Sequence, residues 1–277
     1  MTILEFTPIV FVISLFAGFL GSLTGLGGGV VVTPALTILL GVDIRYAIGA
    51  SLVSVIATSS GAAAAYVRDG YSNMRIGMFL EIATTLGAVY GAFLATHVPV
   101  SALSIVFGVV LLHSAWQSNR QHKEGAPHLA NDPLSRRLRL EGSLGGGTTI
   151  EKYRAGRVKT GFSIMFAAGT LSGLLGIGSG ALKVIAMDQA MRIPFKVSTA
   201  TSNFMIGVTA AASAGIYLSR GYIAPGLAMP VMLGVLCGSL MGARLLPRME
   251  VKTLRRVFGV VVGVMAIEMI VKGITGG

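Results

Sequence analysis

The sequence predicts an all-α membrane protein with two inverted-topology repeats, each a glycine-broken (re-entrant) hairpin plus three transmembrane helices. Three observations lead there. Hydrophobic residues make up 53% of the 277 and charged residues only 12%, with a mean hydropathy of +0.77. A soluble domain carries about 25% charged residues, so this mixture cannot supply a solvated surface. Apolar runs such as 52–67, 77–96, 204–218 and 257–271 approach or reach the roughly 20 residues that cross a bilayer. The third observation is a repeat: Gly18–Leu36 (GFLGSLTGLGGGVVVTPAL) superposes on Gly169–Met187 (GTLSGLLGIGSGALKVIAM) at a constant offset of 151 residues, Gly18 on Gly169.

The register continues without a gap. Ser51 falls on Ser202, Thr58 on Thr209, Tyr66 on Tyr217, Gly87 on Gly238 and Gly91 on Gly242. The chain therefore divides into a first membrane repeat (1–117), a basic linker (118–159) and a second membrane repeat (160–277). Internal repeats of this kind are typical of secondary transporters. The N-terminus has no basic stretch before its apolar run and reads as retained, not as a cleaved signal peptide.

Within each repeat the first segment decides the topology. Val10–Leu23 and Val30–Leu40, as helices, would be about 21 and 16 Å long at ~1.5 Å per residue. Neither crosses a hydrocarbon core of about 30 Å, so the expected form is a hairpin that turns at the glycines and leaves on the side it entered. Three full spans follow, an odd number, which inverts the second half. Of the 22 Lys and Arg, hairpins place 18 on the cytoplasmic side and three outside (Arg45, Arg220 and Lys272), with Lys183 inside the hairpin itself. Eight full spans, the rival arrangement, would give 13 against 8. The positive-inside rule favours the hairpins. Tyr66, Tyr71, Tyr217 and Tyr222 flank equivalent turns as expected interface anchors, and Gly87-x-x-x-Gly91 and Gly238-x-x-x-Gly242 let helices approach closely.

The same residues exclude several functions. A net charge of +11 and a pI near 10.2 suit cytoplasmic loops rather than nucleic acid. Cys237 is the only cysteine, so no internal disulfide can form. His97, His113, His122 and His128 have no metal-ligand spacing. Gly145–Gly147 lacks the lysine of a phosphate loop. No nucleophile–base constellation is legible, and neither enzymatic activity nor a cofactor is expected.

What could carry chemistry lies at the glycine stretches. Gly27, Gly28 and Gly29, and in the second half Gly178, Ser179 and Gly180, break the helix where unsatisfied N–H groups and the positive end of the next half-helix favour an oxyanion. The alternative reading is that they only allow a tight hairpin. Lys183, three residues after Gly180, has no basic counterpart in the first half, where Val32 stands. An ionisable residue at membrane depth points to function, against the alternative of snorkelling to the interface. Ser51, Ser202 and Asn203 begin the following helices and are candidate donors beside the turns, or else interhelical hydrogen bonds. Glu81, about seven residues into a span, is a candidate proton carrier or the partner of a nearby arginine.

With GLGGGVVVTPAL and GLLGIGSGALKVIAM paired in two halves, the chain resembles the TauE/SafE family of sulfite and sulfonate exporters over all but the linker. Pro34 follows the first motif; the second carries Ser179 in place of a middle glycine, Lys183, and Ile185 where the first has proline. The resemblance implies export of sulfite or organosulfonates such as sulfoacetate across the cytoplasmic (inner) membrane of a bacterium. The implied partners are a small anionic substrate and membrane lipid; a homodimer is allowed but not required. A membrane potential supplies about 2.3 kcal/mol per charge per 100 mV, so anion export without a coupling ion is energetically permitted and a proton step remains open. An anion channel and a non-transporting scaffold or sensor are the alternative readings.

Overall fold

The computed structural model describes residues 3–24, 28–68, 72–118, 132–145, 150–245 and 251–275. The first half holds α1 (Ile3–Thr24), α2 (Gly29–Leu39), α3 (Ile44–Arg68), α4 (Met74–Ala95) and α5 (Val100–Ser118). The linker forms α6 (Pro133–Arg137), β1 (Glu141–Gly145) and β2 (Ile150–Arg154). The second half holds α7 (Val158–Leu175), α8 (Gly180–Ile185), a π-helical turn (Ala186–Ala190), α9 (Phe195–Ser219), α10 (Pro225–Leu245) and α11 (Val251–Thr275). The order of long and short helices is the same in both halves. Met74–Ala95, Val158–Leu175 and Pro225–Gly242 are each long and apolar enough to cross a membrane.

The hairpin arms are less equal than the sequence reading expects. α1 has 22 residues and α7 has 18, about 33 and 27 Å at ~1.5 Å per residue, whereas α2 has 11 and α8 only six. In each half one helix close to span length is thus followed by a short one. In α1 the helix extends back before Val10 to Ile3, through Glu5 and Thr7, and Pro8 removes one intrahelical N–H without ending it.

Packing reproduces the repeat. α1 lies against α10 and α4 against α7, the same pairing read from either half; α3 meets α9 and α5 meets α11. Glycines set the distance. A Cβ on Gly18 would land on the Val235 carbonyl, and one on Gly169, its equivalent, would land on the Thr84 carbonyl. A Cβ on Gly87 would meet the Phe166 oxygen and one on Gly238 the Leu15 oxygen. Backbones this close gain dispersion contact where lipid offers no hydrophobic drive. Phe11 and Leu15 lie beside Gly234 and Gly238, and Phe166 and Thr170 beside Gly87 and Gly91, so each crossing pair runs parallel.

The loops sort to two ends of the bundle. At one, Arg45 donates to the Val98 carbonyl at 2.9 Å, Tyr46 packs edge-on against Tyr222, and Lys272 donates to the Thr37 carbonyl at 2.9 Å. At the other, Asn73 caps α4 by accepting from Ile76 N–H at 3.1 Å. Its amide also donates to the Tyr153 hydroxyl at 2.9 Å and the Glu141 carbonyl at 3.3 Å. At this end Gly156 N–H bonds the Met191 carbonyl at 2.8 Å and Val158 N–H bonds Asp132 at 2.9 Å.

Part of the linker is therefore folded, and the all-α expectation acquires one antiparallel β-hairpin, β1–β2. Its Tyr153, and Leu140 just before β1, are buried with Ile76, Leu80, Met187 and Met191. Burial pushes the Tyr153 phenol above the usual tyrosine range, while its hydrogen bond with Asn73 pulls the other way. A second departure concerns Tyr217. It is fully buried and donates to the Gly173 and Leu174 carbonyls at 3.3 Å, a packing residue rather than an interface anchor. Tyr71 lies outside the described residues, as does the side chain of Tyr66.

Gly173→Val, which would drive a side chain into the Ala88 backbone, should destabilise the α4/α7 crossing by at least the 1–3 kcal/mol typical of overpacking (about that range). Gly215→Ala, in α9 with nothing within 4 Å, should be neutral or stabilising by up to about 1 kcal/mol. Thermal unfolding in detergent checks both, and equal melting temperatures would refute the close-contact account.

Candidate functional site

The two glycine turns meet near the middle of the bundle, and one hydroxyl joins them. Ser51, fully buried near the start of α3, donates to the Gly176 carbonyl of the second turn at 2.9 Å and lies 3.3 Å from the Gly29 carbonyl of the first. In the other half Ser202, equivalent to Ser51, donates to the Gly180 carbonyl at 3.2 Å. Both serines thus fix the first residue of a short return helix to the helix that follows. Asn203 is half-buried and donates to the Thr199 carbonyl at 3.1 Å, one turn back on its own helix.

Side chains crowd the glycines. A Cβ on Gly29 would sit 2.7 Å from Ser51 Oγ and 2.8 Å from Val55; one on Gly28, 2.5 Å from Val235. A Cβ on Gly178 would sit 2.9 Å from Ile206 and one on Gly180 2.6 Å from it. Gly27 lies outside the described residues. The second turn is left-handed at Gly176, Gly178 and Ser179, with φ of 68°, 69° and 45°. Glycine adopts this conformation freely, whereas at Ser179 it is strained. The Ser179 hydroxyl is 5% exposed and has no hydrogen-bond partner among the described residues.

One turn further, the Lys183 N–H bonds the Ser179 carbonyl at 3.1 Å, placing the lysine side chain on the same side of α8 as that serine. Lys183 is completely buried. It does not snorkel. Its ammonium donates to Thr209 Oγ1 on α9, and Thr209 Oγ1 donates to Glu81 Oε1 on α4 at 2.7 Å. Thr85 donates to the same carboxylate oxygen at 3.1 Å. A cation and an anion are thereby joined through one hydroxyl, across three helices of both halves. Glu81 therefore answers a lysine through a threonine, not a nearby arginine. Among the described residues, one of the three ammonium N–H donors is used.

The sequence reading placed Lys183 and the turns but did not single out Thr209. Its one signal is repetition: Thr58 stands at the equivalent position, facing no charge pair, because Val32 and Met232 replace Lys183 and Glu81.

Apolar helices in two matching halves, glycine turns that meet between them and an enclosed charge pair define a multi-pass α-helical membrane protein of the transporter class. The chain belongs to the sulfite exporter TauE/SafE family, whose profile matches residues 10–269. It is 29% identical to the probable membrane transporter protein YunE of Bacillus subtilis, over 96% of this chain and 98% of that one. It is 26% identical to a probable membrane transporter protein of Methanocaldococcus jannaschii, over 95% of each. No solved structure matches the chain.

Ser51→Ala should lower stability by about 1 kcal/mol, the net worth of one hydrogen bond, and by more than Ser202→Ala, which removes a longer bond to a single turn. Chemical denaturation in detergent gives both values. A larger effect at Ser202 would show that the contact between turns is not the stronger tie.

Proposed function

We propose that the protein exports small sulfur oxyanions, sulfite or organosulfonates such as sulfoacetate, across the bacterial cytoplasmic membrane by alternating access at the two glycine turns. One observation carries the reading: among the described residues, Lys183 is fully enclosed with N–H donors unused, one helical turn from the buried Ser179 hydroxyl, which finds no partner among them. Ammonium and hydroxyl together suit a compact oxyanion, because charge-assisted hydrogen bonds to such a guest are the strong ones. α8 is only six residues long, so the side chains rather than its helix dipole supply the attraction. Gly28, Gly29, Gly178 and Gly180 let the turns sit against the site, Ser51 and Ser202 hold them there, and Asn203 flanks them; Gly27, outside the described residues, belongs to the same proposed site. The crowding around these glycines corresponds to an occluded stage, and Ile206 and Val235 must shift to admit the guest.

The inverted orientation of the repeats belongs to the same proposal. It is supported by the parallel α1/α10 and α4/α7 crossings and by the charge at the two ends of the bundle. Arg45, Arg220 and Lys272 lie toward one end, while Arg136, Arg137, Arg139, Lys152, Arg154, Arg157 and Lys159 belong to the linker at the other. The positive-inside rule makes the linker end cytoplasmic.

In a Cys237→Ala background, Asp43→Cys and Gly221→Cys should react with an impermeant maleimide from outside the cell and Lys152→Cys only after lysis. Labelling of Asp43→Cys solely from within would overturn the hairpin arrangement. In proteoliposomes, sulfite flux should saturate with concentration and fall at least about tenfold in Lys183→Met, a loss of about 1.4 kcal/mol or more. Ohmic conductance would identify a channel instead, and unchanged flux in Lys183→Met would remove this site.

A further inference from the structure

The charge pair has features that anion binding alone does not use. Glu81 presents one oxygen to Thr209 and Thr85, while its other oxygen, Oε2, is buried without any partner among the described residues. A carboxylate with an unsatisfied buried oxygen is poorly stabilised as an anion. The pair also breaks the repeat as a unit: Lys183 and Glu81 lie in different halves, and their equivalents, Val32 and Met232, are both apolar. Neither charge occurs at the equivalent site without the other.

Lys183, on α8, is the charged group that faces Glu81; α9 contributes the Thr209 hydroxyl, and α4 itself contributes Thr84 and Thr85. Lys159 on α7 and Lys196 on α9 are exposed, and Asp188 on the π-helical turn is part-exposed. Where Lys183 is fully enclosed, Glu81 is 8% exposed and lines, with Thr85, Met78 and Phe204, an open cleft of about 430 Å³ on the flank of the bundle. Among the described residues, the Glu81 end of the relay reaches an open cleft and the Lys183 end is enclosed.

We infer that Glu81 is the proton site of a coupled transporter: an anion arriving at Lys183 replaces Glu81 as the counter-charge, and Glu81 takes up one proton that travels with the anion. The balance follows from charge. The empty site holds an ammonium and a carboxylate, with no net charge. A monovalent anion entering would leave one uncompensated negative charge in a low-dielectric interior, a state that buried ions avoid. Adding one proton to the Glu81 carboxylate gives the neutral acid and restores zero net charge. The loaded site (ammonium, anion and carboxylic acid) and the empty one (ammonium and carboxylate) can then both reorient as neutral assemblies, so the membrane potential does not drive this cycle and export runs on the outward gradient of the anion. Thr209 is the switch, since its single hydroxyl proton can point to Glu81 or to the Met205 carbonyl 2.8 Å away. This rests on the proposed anion site at Lys183.

The test uses purified protein in proteoliposomes with the membrane potential clamped at zero and radiolabelled sulfite as the probe. The wild type should show net sulfite movement driven by an imposed pH gradient, in excess of protein-free vesicles. Glu81→Gln should lose at least about nine-tenths of that gradient-driven movement while continuing sulfite-for-sulfite exchange, and Glu81→Asp should retain gradient-driven movement. A Glu81→Gln protein that responds to the gradient as the wild type does overturns the inference, and so does a folded one that loses exchange as well. A second measurement needs no variant: adding sulfite to the wild type should raise the infrared band of a protonated carboxyl group. No such band, with sulfite transport present, overturns the inference while leaving the transport reading intact. A wild type that moves no sulfite in either mode instead overturns the proposed substrate.

Discussion

A full positive charge with no exposure to solvent governs this structure. In a low-dielectric interior an ammonium persists only with an opposite charge close by, and Lys183 finds one in Glu81, reached through the Thr209 hydroxyl. That requirement ties α8 and α9 of the second half to α4 of the first. It also places the site's chemistry at the seam between halves, where relative movement would alter it. Removing one partner would leave the other buried without its counter-charge when the site is empty.

Around that seam the molecule divides by how its helices touch. The α1/α10 and α4/α7 pairs meet backbone to backbone through glycine, with no room for a methyl group at Gly18, Gly87, Gly169 or Gly238. Such contacts are specific and stiff. Between the pairs, the glycine turns are held by single serine hydroxyls and by branched side chains such as Ile206 and Val55. Hydroxyl bonds and aliphatic rotamers can rearrange far more easily than fused helix backbones. The contrast suits rigid paired helices moving about a changeable centre, the general plan of repeat-built transporters.

The linker adds a constraint that its polar composition conceals. The β1–β2 hairpin, closed by the Arg154–Glu141 ion pair at 2.8 Å, is pinned to the start of α4 by Asn73. Its Tyr153, and Leu140 just before β1, are buried beside the residues that follow α8, including Met187 and Met191. An exposed pair of this kind contributes little stability alone; burial of Tyr153 and Leu140 does most of the holding. The second hairpin is consequently supported from outside the bundle by a segment with no counterpart in the first half.

The sequence alone determined the membrane class, the two matching halves and the residues of the two turns. Composition and repetition are local properties that survive without coordinates. It also marked Lys183, because an isolated charge in an apolar run is conspicuous. It could not set the arm lengths, since Glu5, Thr7 and Pro8 read as a polar flank before Val10 yet lie within α1. Nor could it distinguish Tyr217, buried under α7, from Tyr222 at the bundle end, because both read as aromatic residues beside a turn. Only the tertiary structure decided that Glu81 answers Lys183 and that Thr209 joins them. Glu81 lies more than a hundred positions from both, so the partnership depends on helix packing, and apolar helices of this kind carry no pattern that names their neighbours.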